Sequence, residues 1–210
     1  MHQQVIAPLL DSVLTGSGAD GAYLYRFETE GASAHLTVWA GASPKPGFPP
    51  VEGRIAREHF ERESPLILHD SAWSDPRFVA FPEFSAQRFE GVASIPLIHE
   101  GKPAGLLNVC RLHPASLAAG ELALLFGLTL PFGALLAATD ENEKLSRQLS
   151  DRKLFDRAKG LLQARLGWSE EEAYLHLRRT SRQRRTAMRE IAIEIIERPN
   201  LHLVEERLAS

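Results

Sequence analysis

Six arginines crowd into twelve positions near the end of the chain: Arg178, Arg179, Arg182, Arg184, Arg185 and Arg189. A guanidinium group is a planar, permanently charged fork that fits phosphate oxygens and stacks on unpaired bases, so this density suits a polyanion. A solvated helix face uses the same residues. Lys159 stands in Ala158-Lys159-Gly160, where small neighbours permit close approach by another helix or by RNA. A lysine laying its stem along the surface is the plainer use. Aromatic side chains are few in this region: Phe155, Trp168 and Tyr174, the last expected in the core. That scarcity argues against a stacking platform of the single-strand-binding kind.

Other chemistry is thinly represented. The eight histidines contain no pair at the close helical spacing of a zinc site, so no metal site is expected; a lone haem ligand, His59 or His69, stays open. The single cysteine, Cys110, can form neither an internal disulfide nor a thiolate cluster, and its apolar strand context suits core packing. No phosphate loop, dinucleotide fingerprint or G-x-S-x-G elbow occurs, so the chain is expected to have no catalytic residues and not to be an enzyme. The sequence names no cofactor. Trp39, Phe48, Trp73, Phe78 and Phe81 are candidates to line an apolar ligand pocket, or else to fill the core.

The elements that must hold these residues read as two sets. With 210 residues, 44% hydrophobic and 24% charged, the chain is an ordinary globular protein of one large or two small domains. The net charge of −3 conceals an asymmetry, because residues 1–140 carry an acidic excess and residues 141–198 a basic one. Two jobs on one chain follow, the second facing an anion. One cysteine suits a reducing cytoplasm, and the opening Met1-His2-Gln3-Gln4 has no basic stretch leading into an apolar run, so no signal peptide is expected.

Residues 5–14 have helical spacing. Strand patterns follow at 22–28 and 34–40, joined through Glu30-Gly31-Ala32-Ser33. Residues 53–63 read as a helix, 65–69 as a strand, and 70–90 as an aromatic loop with short helical turns. The segments 91–98 and 104–112 are strong strands around a turn at 99–103. The expected fold class is α+β, an antiparallel sheet of about five or six strands flanked by helices. Residues 122–139 lack charge and touch the length of a membrane span. Gly127, Pro131 and Gly133 interrupt them without basic or aromatic flanks, which favours a helix buried by the sheet and a partner subunit. Pro131 should kink that helix or start a new one.

Beyond it, Leu135, Ala138, Asn142, Leu145 and Leu149 fall at a and d positions of a short coiled-coil seam; a lone amphipathic surface helix is the alternative. That helix should stop at Gly167. Ser169-x-x-Glu172 reads as a capping box opening a second helix with Ala173, Tyr174 and Leu177 on one apolar side. Met188, Ile191, Ala192 and Ile195 mark a third, ending before Pro199.

Residues 151–162 (DRKLFDRAKGLL), together with Gly167, Glu172-Ala173-Tyr174, Leu177-Arg178-Arg179-Thr180-Ser181, Met188-Arg189-Glu190-Ile191-Ala192 and Ile195-Ile196, resemble the ANTAR domain over roughly 145–197. That resemblance implies a three-helix bundle on a long dimerising helix that grips paired hairpin loops in nascent message. It implies RNA contact from Arg152, Lys153, Lys159, Arg178, Arg179, Ser181 and Arg182, and the charge of Arg185 adds a further phosphate contact or a changed loop preference. One position departs: where that family carries Asn late in the second motif, this chain has Arg185.

Gly53-Arg54-Ile55-Ala56, Asp75-Pro76-Arg77-Phe78, residues 91–98 and Gly105-Leu106-Leu107-Asn108-Val109 make residues 5–140 similar to a GAF domain, a sensory module whose sheet face often binds a small ligand. The expected organisation is a GAF-like sensor over 1–139, a coiled-coil helix with the ANTAR bundle over 140–198, and a tail over 199–210. Together the resemblances imply a cytoplasmic, homodimeric antitermination regulator that binds hairpin RNA and a small molecule, and no membrane. The alternative is a ligand-binding module acting on a protein partner through its helical tail.

Overall fold

In the computed structural model, which describes residues 2–28, 32–47 and 49–198, the strand-like segments pair into one six-stranded antiparallel sheet. The strands are β1 (Gly21–Phe27), β2 (Ser33–Gly41), β3 (Val51–Glu52), β4 (Leu66–Leu68), β5 (Gly91–His99) and β6 (Lys102–Arg111), in the order β3-β2-β1-β6-β5-β4. β5 and β6 close through Glu100 and Gly101, at φ 49° and 74°, the double positive φ of a tight hairpin turn. The expected turn between β1 and β2 at residues 30–33 lies partly outside the described residues.

Period-two alternation sorts the side chains of β1 and β6 to two buried faces. Ala22, Leu24, Leu107 and Val109 meet Ile6, Leu10 and Val13 of α1 (His2–Ser17) and Leu125, Phe132 and Leu136 of α4 (Ala119–Leu166). Tyr23, Tyr25, Phe27, Leu106 and Cys110 face the opposite layer. That layer is α2 (Arg54–Phe60), a single 3-10 turn (Ala72–Ser74), α3 (Pro82–Ala86) and the phenylalanines around them. The sheet is therefore covered on both sides.

α4 decides between two expectations. It runs unbroken from Ala119 to Leu166 with Pro131 inside it, so no new helix starts there. Pro131 offers no N–H to the carbonyl of Gly127, but both residues are exposed, so water can satisfy that carbonyl. Two residues on, Gly133 lies against the sheet, where a Cβ would stand 2.6 Å from the backbone oxygen of Ile98. Only glycine permits that approach. α4 contains a window long and apolar enough to cross a membrane, of which 28% is buried. Leu125, Phe132 and Leu136 belong to the sheet core, whereas Phe126 and Leu130 point outward, Leu130 at 74% exposure.

Contacts divide the chain into two units, Met1–Asp140 and Glu141–Ser210. The second is built by the later turns of α4, by α5 (Glu170–Arg184) and by α6 (Met188–Glu197). Gly167, at φ 69°, ends α4. The capping box forms as the spacing predicts: Ser169 Oγ accepts from the Glu172 N–H at 3.2 Å, and the Glu172 carboxylate accepts from the Ser169 N–H at 2.7 Å. Ala158, Leu162, Ala173, Leu177, Ile191, Ala192 and Ile195 are the core. Tyr174, expected among them, is 43% exposed, because at this pitch Ala173, Leu177 and Thr180 take the inner face.

Candidate nucleic-acid interface

Arg178 and Arg182 stand one turn apart on the exposed face of α5, and Arg185 follows three positions later. None of the three makes an ion pair among the described residues. Arg179 is exposed on the same helix. Arg185 sits in the left-handed region, φ 52° and ψ 35°, where it closes α5. The Thr186 N–H reaches the Ser181 carbonyl at 3.1 Å and the Arg185 N–H reaches that of Arg182 at 3.4 Å, the two bonds of a Schellman cap. Asn tolerates this backbone far better than a long side chain does. The departure at residue 185 is thus first a backbone matter.

Other members of the arginine run are tied to carboxylates of the bundle itself. Arg184 pairs with Glu194 at 3.0 Å, and Arg189 donates to Asp151, which brings the start of α6 to the turn of α4 that carries Arg152. Arg152 and Lys153 are exposed on α4 without an ion pair among the described residues. Arg157, not singled out in the sequence, joins them one turn after Lys153 in the same state.

Two further candidates occupy internal contacts. Lys159 has a side chain only 14% exposed, with Nζ 2.9 Å from Asp156 and 2.6 Å from Glu170, and these carboxylates push its pKa up. It clasps α4 to the start of α5. Ser181 is half-buried and its hydroxyl donates to the Thr186 carbonyl at 2.7 Å, reinforcing the cap.

In the first unit a cavity of about 480 Å³ opens between the β1–β2 face and the proline-rich loop after β2, lined by Tyr25, Leu36, Trp39, Lys45 and Pro82 among others. Of the four aromatic candidates among the described residues, only Trp39 is found there. Phe48 lies outside the described residues. Trp73 carries the guanidinium of Arg88 over its ring, 3.8 Å from the centroid. Phe78 and Phe81 are fully buried and pack edge-on against His59, at 5.5 and 5.1 Å between centroids. Loop 70–90 folds its rings onto the sheet instead of around a cleft, since buried aromatic area stabilises it most. His59 itself is buried, with Nδ1 3.0 Å from the Ile55 carbonyl, and desolvation pushes its pKa down.

A buried carboxylate escaped the sequence reading. Glu83 is fully enclosed beside the cavity wall; the Tyr25 hydroxyl donates to its Oε2 and the Asn108 amide to its Oε1 at 2.9 Å. Burial pushes its pKa up to about 7, against those two hydrogen bonds. Its signals were a lone acid in an aromatic run and an asparagine in an apolar strand. Cys110 is buried on the same sheet face, and desolvation pushes its thiol well up. Among the described residues no group of three or more metal-ligating side chains gathers.

Residues 3–137 match the model of the GAF domain, and residues 143–196 that of the ANTAR domain. A transcriptional regulatory protein, PdtaR of Mycobacterium tuberculosis, is 39% identical over 66 residues, which are 31% of this chain and 32% of that protein. The match thus spans about a third of that relative's length. Among solved structures, the GAF domain of a phosphoenolpyruvate-protein phosphotransferase from Coxiella burnetii is 21% identical with TM-score 0.57, over 68% of this chain and 86% of that one. A type II free methionine-R-sulfoxide reductase from Thermoplasma acidophilum is 13% identical with TM-score 0.52, over 64% of this chain and 92% of that one. At these identities the likeness is one of fold.

Proposed function

This chain belongs to the GAF domain family and carries an ANTAR domain after it, and from that premise we propose a signal-responsive regulator that binds hairpin-containing nascent RNA and acts by antitermination. The observation that carries the proposal is the row Arg178, Arg182 and Arg185, exposed and without an ion pair among the described residues. Arg152 and Lys153 extend the cationic surface on α4. The similarity to a transcriptional regulatory protein supports the same output. The role places the protein in the cytoplasm with its transcript, and it requires no catalytic step.

The sensor input is a small molecule in the cavity beside Trp39 and Tyr25, whose walls are largely proline and aromatic. Leu145 and Leu149, 54% and 55% exposed on α4, form the seam of a homodimer. Ligand binding changes the packing or rotation of α4 and with it the presentation of both bundles, which needs a ligand with different affinities for the two arrangements.

Filter binding of a two-hairpin RNA across a salt series tests the output. Affinity should fall steeply as salt rises, and charge reversal at Arg178 and Arg182 should abolish binding. Unchanged binding after reversal removes the assignment, and a protein partner of the helical tail becomes the better account.

A further inference from the structure

Beside the arginine row is an open groove of about 480 Å³, lined among the described residues by Trp168, Glu172, Leu175, His176 and Arg179. Trp168 is anchored: one part of it packs against the bundle core, and its ring lies 5.1 Å from that of His176, tilted by 55°. Leu175 forms an apolar wall, 51% exposed. Glu172 supplies a fixed acceptor. Its Oε2 takes the Ser169 N–H and hydroxyl at 2.7 and 2.8 Å, which holds the carboxylate in place and pulls its pKa down, while Oε1 has no hydrogen bond among the described residues. Arg179 edges the groove, and Arg178 and Arg182 are its neighbours on the same arc of α5.

We infer that this groove receives one unpaired nucleobase of the RNA hairpin, a base that carries an amino group. The ring face lies on Trp168 and Leu175, the amino group donates to Glu172 Oε1, and the flanking phosphates meet Arg178 and Arg182. Flat aromatic surface, an edge-directed acceptor and adjacent guanidinium groups are the three features by which proteins hold a splayed-out loop base. The surrounding cations favour a polyanion over an acidic or neutral peptide with no phosphates to place on them. Uracil is disfavoured, because both carbonyls flanking its imide N–H would face the carboxylate. The sparse aromatic content of the region excludes a platform for several bases, but a single base needs only one anchored indole. The inference rests on the RNA-binding role proposed above and adds to it the site and the base class.

The test uses the full chain and a two-hairpin RNA in which each loop nucleotide in turn is made abasic or replaced by uridine. In the wild-type protein one loop position should lose about tenfold in affinity on either change. In Trp168→Leu, which keeps an apolar anchor on the bundle core, the unmodified RNA should bind about tenfold more weakly and the abasic change at that position should cost nothing more. Glu172→Gln, which can still cap α5, should bring the uridine-substituted RNA to within about twofold of the unmodified one. Helical circular dichroism and the unfolding midpoint establish that each variant is folded. If Trp168→Leu binds every RNA as the wild type does, or if each abasic change costs both proteins equally, the groove is not a base site, while loss of binding in Arg178→Ala/Arg182→Ala keeps the RNA-binding role intact. If the wild type binds none of the RNAs at low salt, both proposals fall together.

Discussion

Arg184 reaches across the α5–α6 corner to Glu194 at 3.0 Å, so a cation from the densest basic stretch of the chain serves the bundle itself. Its neighbours Arg182 and Arg185 make no ion pair among the described residues. Adjacent arginines therefore have different jobs, and substitutions should separate them. Arg184→Ala should lower stability by about 0.5 kcal/mol, the worth of a partly exposed pair, and leave the salt dependence of RNA binding unchanged. Arg178→Ala or Arg182→Ala should leave stability unchanged and reduce the salt slope by roughly one each. Equal slopes in all three variants would contradict the division.

Arg185 combines a strained backbone with a surface charge. Arg185→Asn should stabilise the bundle by about 1 kcal/mol, because asparagine enters the left-handed region more readily. In urea this reads as a higher midpoint with an unchanged slope. The same variant should bind RNA less tightly, having lost one guanidinium. A variant that is neither more stable nor weaker at RNA would place Arg185 outside both roles.

Glu83 should make the stability of the first unit depend on pH. Its folded pKa, about 7, lies above the ordinary 4.5, so the folded state holds a proton that the unfolded state has released. The contribution is complete below about pH 4.5 and fades as pH rises through 7, costing roughly 3 kcal/mol above it. Glu83→Gln cannot ionise, and it keeps an acceptor for Tyr25. Thermal unfolding from pH 5 to 8 should show declining stability in the wild type and a flatter profile in Glu83→Gln. Parallel profiles would mean that Glu83 is not the group responsible.

Gly133 permits α4 to lie on β5, with the Ile98 oxygen where a Cβ would be. Gly133→Ala should cost about 1–3 kcal/mol through overpacking, lowering the unfolding midpoint of the sensor unit. Gly127→Ala, on the open side of the same helix, should be neutral or slightly stabilising.

Leu145→Glu with Leu149→Glu should shift the protein to monomer in sedimentation equilibrium without loss of helicity, since both side chains are already exposed in the single chain. If the variant sediments as the wild type does, the seam lies elsewhere on α4.

The local rules alone settled much of this protein. Period-two alternation placed β1 and β2, the apolar runs around the 99–103 turn placed β5 and β6, the Ser169–Glu172 spacing placed the start of α5, and Gly167 placed the end of α4, because each depends on neighbours within a few residues. The ANTAR and GAF resemblances were legible for the same reason, being carried by short runs such as DRKLFDRAKGLL. Tertiary packing decided the rest. Whether an arginine is offered outward or tied to Glu194 or Asp151 depends on residues ten to thirty-eight positions away. Phe78 and Phe81 became core when loop 70–90 closed on the sheet. Glu83 acquired its raised pKa only when Tyr25 and Asn108, from two neighbouring strands, enclosed it in a medium where charge is poorly solvated. Composition shows which groups a chain possesses; only the fold determines which of them still face water.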